Sequence, residues 1–221
     1  MTAPTFRPVG SGAVLADFGG AIDDDIFARV IALDRALSAQ PPVGLLETTP
    51  AYTSLLIVFD PLLTDHTAVA QHLQSLDVPP ADLAAATTHA IPVCYEGNAA
   101  PDIDAVAATL GLSTEAVIAA HLAGDYRVFM YGFAPGYAYL GGVPDALQLP
   151  RKATAVRGHK IGSVMVAGPQ CLITTLEMPT GWWVIGQTPA RVLDAGSEKP
   201  FLFEPGDRVR FTRISEAALH G

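Results

Sequence analysis

Two stretches of the chain gather residue types that could recognise and act on a small molecule. The first is YRVFMYGFAPGYAYLGG, Tyr126 to Gly142. Phe133, Tyr137 and Tyr139 surround Pro135-Gly136 there. Proline presets φ and glycine accepts positive φ, so the dipeptide reads as a tight turn. Such a turn holds aromatic side chains at fixed angles near a strand end, common material for a ligand pocket. The same spacing also suits a hairpin whose aromatics are only core. The second stretch is PRKATAVRGHK, Pro150 to Lys160, which collects Arg151, Lys152, Arg157, His159 and Lys160 in an otherwise acidic protein. Guanidinium forks suit planar carboxylates or phosphates. For Lys152 and Lys160 a solvated basic loop is the plainer reading. His159 is the histidine beside this loop, which makes it a candidate for proton transfer.

Other chemistries find no matching pattern. There is no G-x-x-x-x-G-K-S/T phosphate loop, and GSGAVL, Gly10 to Leu15, does not follow a strand and open a helix as a dinucleotide fingerprint must. No H-x-x-x-H or H-E-x-x-H pair marks a metal site. His66 and His72 fall on different faces of one helix, and His121 and His220 read as structural or solvated. Ser163, in IGSVMVAG, opens an apolar strand and does not sit on a nucleophile elbow.

The elements that must carry these residues change texture along the chain. Ala13 to Phe18 is a short apolar run, and Asp23, Asp24 and Asp25 then open a helix, where negative charge suits the dipole. Ile22, Ile26, Val30, Leu33 and Leu37 give that helix one apolar stripe. LLIVF, Leu55 to Phe59, is a buried strand, and Asp65 opens a second helix with Val69, Leu73 and Leu76 on one face. This β-α-β-α pattern suits an α+β sandwich. Val78-Pro79-Pro80 is the best linker, and ADLAAATT after it is ambiguous between linker and helix end. The domains expected are therefore 1–80 and 81–221. In the second, helices over Ile103–Leu110 and Thr114–Leu122 precede a run of short strands. These are expected at Ser163–Val166, Cys171–Thr175, Trp183–Ile185, Arg191–Leu193, Phe201–Phe203 and Arg208–Ile214, a spacing that suggests a barrel.

The chain of 221 residues is half hydrophobic, enough for a sizeable core. Its net charge of −9 argues against nucleic acid as a partner. No window reaches the 18 or so unbroken apolar residues of a membrane span. MTAPTFRPVGSG lacks the basic-then-apolar order of a secretory signal, so a cytoplasmic location is expected. Cys94 and Cys171 are far apart and read as two reduced, buried thiols.

GFAPGYAYL resembles the GF-x-PG-F/Y-x-YL hallmark of the allophanate hydrolase subunit 1 family. Further segments resemble the same family in order: VLADFGGAIDDDIFARVIAL near the start, GLLETTPAYTSLLIVFDP at Gly44 to Pro61, IPVCY at Ile91 to Tyr95, GWWVIGQTP at Gly181 to Pro189 and EPGDRVRF at Glu204 to Phe211. The resemblance implies an α+β protein, with an N-terminal ferredoxin-like α/β domain followed by a cyclophilin-like β-barrel domain. It implies the B subunit of an ATP-dependent 5-oxoprolinase-type complex, cleaving 5-oxoproline to glutamate or acting on a related small amide or urea-derived compound. ATP is the implied cofactor, held by this chain or by a partner. The implied partners are a subunit-C-like protein (allophanate hydrolase subunit 2) and a subunit-A-like protein. Two alternatives stay within the family: a KipI-like inhibitor of a sensor histidine kinase, and a catalytically inactive scaffold.

The resemblance also assigns roles. Gln170 occupies a glutamine of the family's A-G-x-Q motif, and its amide offers both donor and acceptor to a lactam or urea. Arg157, Gln170 and His159 are the expected catalytic residues; Arg151, Phe133, Tyr137 and Tyr139 are the expected substrate-binding ones. An unstrained lactam is a poor electrophile, so its activation needs groups that neutralise developing oxyanion charge. Tyr137, Tyr139, Arg157 and Gln170 are expected to converge on one cavity. Departures cluster around that region: Cys171 to Thr175 replace the family's Thr-Gly-Ile-Tyr-Pro, HKIGSV replaces V-P-A-G-S-V, Thr180 replaces a glycine and Gln187 an arginine.

Overall fold

A computed structural model describes residues 3–20, 22–81, 83 and 86–220. Within ADLAAATT, residues 82, 84 and 85 lie outside the described set, as does the side chain of His220. The chain divides into two compact units, Met1–Ala85 and Ala86–Gly221.

The first unit is a four-stranded antiparallel sheet with two helices. Its elements are β1 (Thr5–Val9), β2 (Ala13–Asp17), α1 (Asp24–Ala39), β3 (Leu45–Pro50), β4 (Ser54–Phe59) and α2 (His66–Ser75), with sheet order β1-β2-β4-β3. Asp23 and Asp65 are extended N-caps whose carboxylates accept from Ile26 N and Ala68 N. Alternation along β4 buries Leu55, Ile57 and Phe59 on one face, against Val30, Leu33 and Leu37 of α1 and Val69 and Leu73 of α2. Ile22, expected in the α1 stripe, precedes the cap and is exposed.

The observed order is ββαββα. A ferredoxin-like unit runs βαββαβ, so the edge beside β2 is closed by a strand that precedes it and not by one after α2. Neither β1 nor β3 is expected from the sequence pattern. Both are edge strands, TFRPV and LLETTP, with no fully buried residue and each carrying a proline. Edge strands tolerate proline and bury little, so their apolar signal is faint.

The second unit contains β5 (Thr88–Cys94), α3 (Ile103–Leu110), α4 (Thr114–Ala123), β6 (Tyr126–Tyr131), β7 (Ala138–Gly141), β8 (Ser163–Ala167), β9 (Gln170–Ile173), β10 (Trp183–Gln187), β11 (Arg208–Ile214) and α5 (Glu216–His220). Seven strands close into a barrel in the order β10-β5-β11-β6-β7-β9-β8, sealed by the β8–β10 pair. The β5–β11 pair is parallel and the others are antiparallel. The closed barrel fits the cyclophilin-like expectation. Strands expected at 191–193 and 201–203 reduce to one bridge, Leu193 to Phe201. Gly142 shows why the β7 exit needs glycine: φ is +96°, and a Cβ would stand 2.0 Å from the Asp125 carbonyl oxygen.

The barrel interior holds Val93, Val128, Leu140, Val164, Val166 and Ile185 among its buried residues. His121 of α4 lies in the same interior. Its Nδ1 is 2.8 Å from Tyr95 Oη, its Nε2 is 3.8 Å from Cys171 Sγ, and its ring stacks on Phe211 at 4.5 Å. Burial lowers the His121 pKa to about 3 and pushes the Cys171 thiol up, so imidazole, phenol and thiol form a neutral network. Cys94 and Cys171 are both free and buried.

Candidate small-molecule site

Strands β8 (SVMVA) and β9 (QCLI) are apolar on both faces. Val164, Val166, Cys171 and Ile173 face the barrel core. Period-two alternation sends Met165, Ala167 and Leu172 outward, where they form a second core with Tyr137, Trp182 and Val184. A strand buried on both sides needs a cover. Here the aromatic hallmark loop and the segment before β10 supply it. Between cover and sheet lies a cavity of about 240 Å³, lined by Phe133, Tyr137, Tyr139, Arg151, Thr174 and Trp182 among others.

The hallmark loop is held by its own backbone. Ala134 N–H donates to the Gly132 carbonyl at 2.9 Å, a three-residue turn centred on Phe133 at φ +72°. Gly136, at φ +74°, packs so closely that a Cβ would stand 2.9 Å from Thr175 Cγ2. Thr175 Oγ1 donates to the Pro135 carbonyl at 2.7 Å and ties the turn to the strand end. Phe133 is 72 % exposed, with its ring 5.5 Å from that of Tyr137. Tyr137 is 2 % exposed, and its Oη is buried without a hydrogen-bond partner among the described residues. Burial, and then Tyr139, raise its pKa, so the phenol keeps its proton.

Two adjacent cations meet two adjacent tryptophans. Lys152 N–H donates to the Gly181 carbonyl at 2.7 Å, which runs Arg151-Lys152 alongside Gly181-Trp182-Trp183. The Arg151 guanidinium lies 5.4 Å over the Trp182 ring, and Trp182 meets Tyr139 edge-on at 6.0 Å. Lys152 turns the other way. Its Nζ sits 5.4 Å over Trp183 and 2.5 Å from Asp102 Oδ2, which also accepts from Val184 N. Lys152 is therefore neutralised, whereas Arg151, which lines the cavity, has no ion pair among the described residues.

The expected convergence is only half present. Phe133, Tyr137, Tyr139 and Arg151 line the cavity; Arg157, His159 and Gln170 do not. Arg157 is exposed on the loop entering β8, and Gln170 opens β9 after the turn that leaves β8. Those turns sit at opposite ends of a five-residue strand, about 13 Å apart at ~3.3 Å per residue. His159 is 8 % exposed with its Nε2 unpartnered among the described residues. Its pKa is lowered by burial and by Lys152, with Asp102 opposing. Met165, Leu172, Thr174 and Trp182 also line the cavity, and reasoning from the sequence does not single them out. The unbroken apolar run of β8 is the available signal, because it implies cover on both faces.

A larger groove of about 870 Å³ lies in the first unit, with mostly apolar walls including Phe6, Phe18, Leu33 and Leu73. Thr5, Arg29 and Gln74 also line it, but the smaller barrel cavity gathers Arg151, Tyr137, Tyr139 and Thr174 of the expected site region and is the candidate site.

The closed barrel carries an aromatic, arginine-bearing cavity on its outer face, and this is the candidate small-molecule site. The carboxyltransferase domain, subdomain C and D, matches residues 4–203, and the chain belongs to that family. It is 34 % identical over 225 residues to the 5-oxoprolinase B subunit of Bacillus subtilis, spanning 96 % of this chain and 93 % of the relative. It is 42 % identical over 126 residues to the Escherichia coli O157:H7 protein of the same name, 57 % of this chain and 58 % of the relative. Among solved structures, PH0987 from Pyrococcus horikoshii superposes with TM-score 0.58 at 36 % identity, over 97 % of this chain and 100 % of that one. TTHA0988 superposes with TM-score 0.83 at 37 % identity over 93 % of this chain, which spans only 40 % of the longer TTHA0988 chain. The Kluyveromyces lactis urea amidolyase shares the fold, with TM-score 0.78 at 19 % identity, over 99 % of this chain and 15 % of that one.

Proposed function

We propose that the chain is the B subunit of an ATP-dependent 5-oxoprolinase-type complex, opening the lactam of 5-oxoproline to glutamate or acting on a closely related small amide. The carrying observation is the end-to-end identity with the Bacillus subtilis B subunit. The outer-face cavity is the substrate site on this chain. At about 240 Å³ it falls below the ~300 Å³ at which drug-sized sites begin, a size suited to a metabolite. Arg151 supplies positive charge without a competing carboxylate, and the aromatic walls exclude water, which strengthens that charge's hold on an anion. Subunit-C-like and subunit-A-like proteins are the partners, and ATP enters through the complex.

Reconstitution tests this reading. The chain, co-purified with its subunit-C-like and subunit-A-like partners, should form glutamate and ADP from 5-oxoproline and ATP, while the chain alone should not. Partners that turn over equally well without this chain overturn the assignment.

A further inference from the structure

We infer that Tyr137 Oη and the Arg151 guanidinium form a two-point clamp for a small ligand carrying an anionic group and a separate hydrogen-bond acceptor, with Phe133 as its cover. The inference deepens the proposed function, since it concerns the same cavity, but its chemistry is read from side chains alone.

The first point is Tyr137. A buried hydroxyl without a partner is destabilising, and the side chain that carries this one lines a cavity. A ligand acceptor placed there satisfies it. The second point is Arg151, whose planar fork is oriented by Trp182 and, among the described residues, is not matched by any carboxylate. Lys152 next door shows the contrast, since its ammonium is already bound by Asp102. A guanidinium only donates, and a phenol facing an acceptor donates too. The clamp therefore selects acceptors at both ends, anionic at one, and rejects an ammonium at either.

Phe133 completes the argument. A non-glycine residue at φ +72° is strained. Its ring, 72 % exposed, offsets little of that strain through packing in the empty site. Against a bound ligand the same ring gains an apolar contact and closes the mouth.

The test is calorimetric titration of the isolated chain with three probes, beside thermal melts. 5-Oxoproline carries a carboxylate and a lactam carbonyl; 2-pyrrolidinone lacks the carboxylate; proline lacks the carbonyl and carries an ammonium. Binding of 5-oxoproline should exceed binding of either other probe at least tenfold. Tyr137→Phe should weaken 5-oxoproline about five- to tenfold and yet raise the melting temperature of the ligand-free chain, because it removes the unpartnered hydroxyl. Phe133→Gly should likewise raise the melting temperature and weaken the ligand. Equal binding of proline, absence of 5-oxoproline binding, or unchanged affinity in Tyr137→Phe overturns the clamp. If Phe133→Gly leaves affinity intact and instead weakens assembly with the subunit-C-like partner, the cover role is wrong. Selective binding without turnover in the reconstituted complex keeps the clamp and rejects the proposed reaction.

Discussion

Arg151 and Lys152 are neighbours of the same sign, yet they do opposite things. Lys152 is bound by Asp102 and stabilises the loop; Arg151 lies on Trp182 and lines the cavity. In the reconstituted complex Arg151→Ala should raise KM for 5-oxoproline at least tenfold, the scale of a lost charge-assisted hydrogen bond, with a melting temperature close to that of the parent. Lys152→Ala should do the reverse, lowering the melting temperature because Asp102 loses its partner, with a smaller change in KM. His121 gives a prediction of another kind. The unfolded chain takes up a proton there near pH 6.5, the folded chain only near 3. Between those values the unfolded state binds more protons, so stability is full above pH 6.5 and declines as pH falls toward 3, at up to about 1.4 kcal/mol per pH unit. His121→Gln removes the titration, and its denaturant midpoint should depend less on pH across that window. An unchanged slope would show that other groups dominate acid unfolding.

Short elements position the site through backbone constraints that single side chains probe well. Gly142, where the chain leaves β7, cannot accept a Cβ because the Asp125 carbonyl occupies its place. Gly142→Ala should destabilise the protein by roughly 2–4 kcal/mol through strain and a forced shift, read by denaturant unfolding. Asp23→Ala should cost about 1 kcal/mol, the usual loss of an N-cap, and should leave 5-oxoproline binding untouched because α1 lies in the other unit. The two faces of β8 offer a further contrast. Val166 packs in the barrel interior, whereas Met165 lines the cavity from outside. Both substitutions to alanine should destabilise, but Met165→Ala should also change ligand affinity.

At the scale of the whole molecule, the two units each carry a core of their own. Among the described residues no single helix is long and apolar enough to cross a membrane. Leu55–Phe59 and Ser163–Val166 belong to separate sheets. Both cysteines sit at 0 % exposure in the barrel unit. A thiol reagent should therefore modify neither in the native protein and both once it is unfolded, since a buried thiol is out of the reagent's reach. Rapid labelling of either cysteine under native conditions would contradict that packing.

Much of the architecture was legible in local chemistry. Asp23 and Asp65 mark their helices because a short carboxylate beside an apolar-periodic run can cap free N–H groups. Helix α3 and strand β11 fall at Ile103–Leu110 and Arg208–Ile214, the limits read from the sequence. The hallmark loop announced itself through Pro135-Gly136 and its aromatics, and three of these, Phe133, Tyr137 and Tyr139, line the cavity with Arg151. The edge strands β1 and β3 were not legible, because an edge strand owes its place to a neighbour's hydrogen bonds more than to its own apolar pattern. Nor could the sequence say which polar residues share a site. Arg157, Gln170 and Tyr137 each look suited to a ligand, but distance along a chain says nothing about which end of a strand a turn occupies. Pairing of β8 with β9 and β10 placed Met165, Leu172 and Val184 on the barrel's outer face. That long-range register put Trp182 beneath Arg151 and left Arg157 and Gln170 outside the cavity.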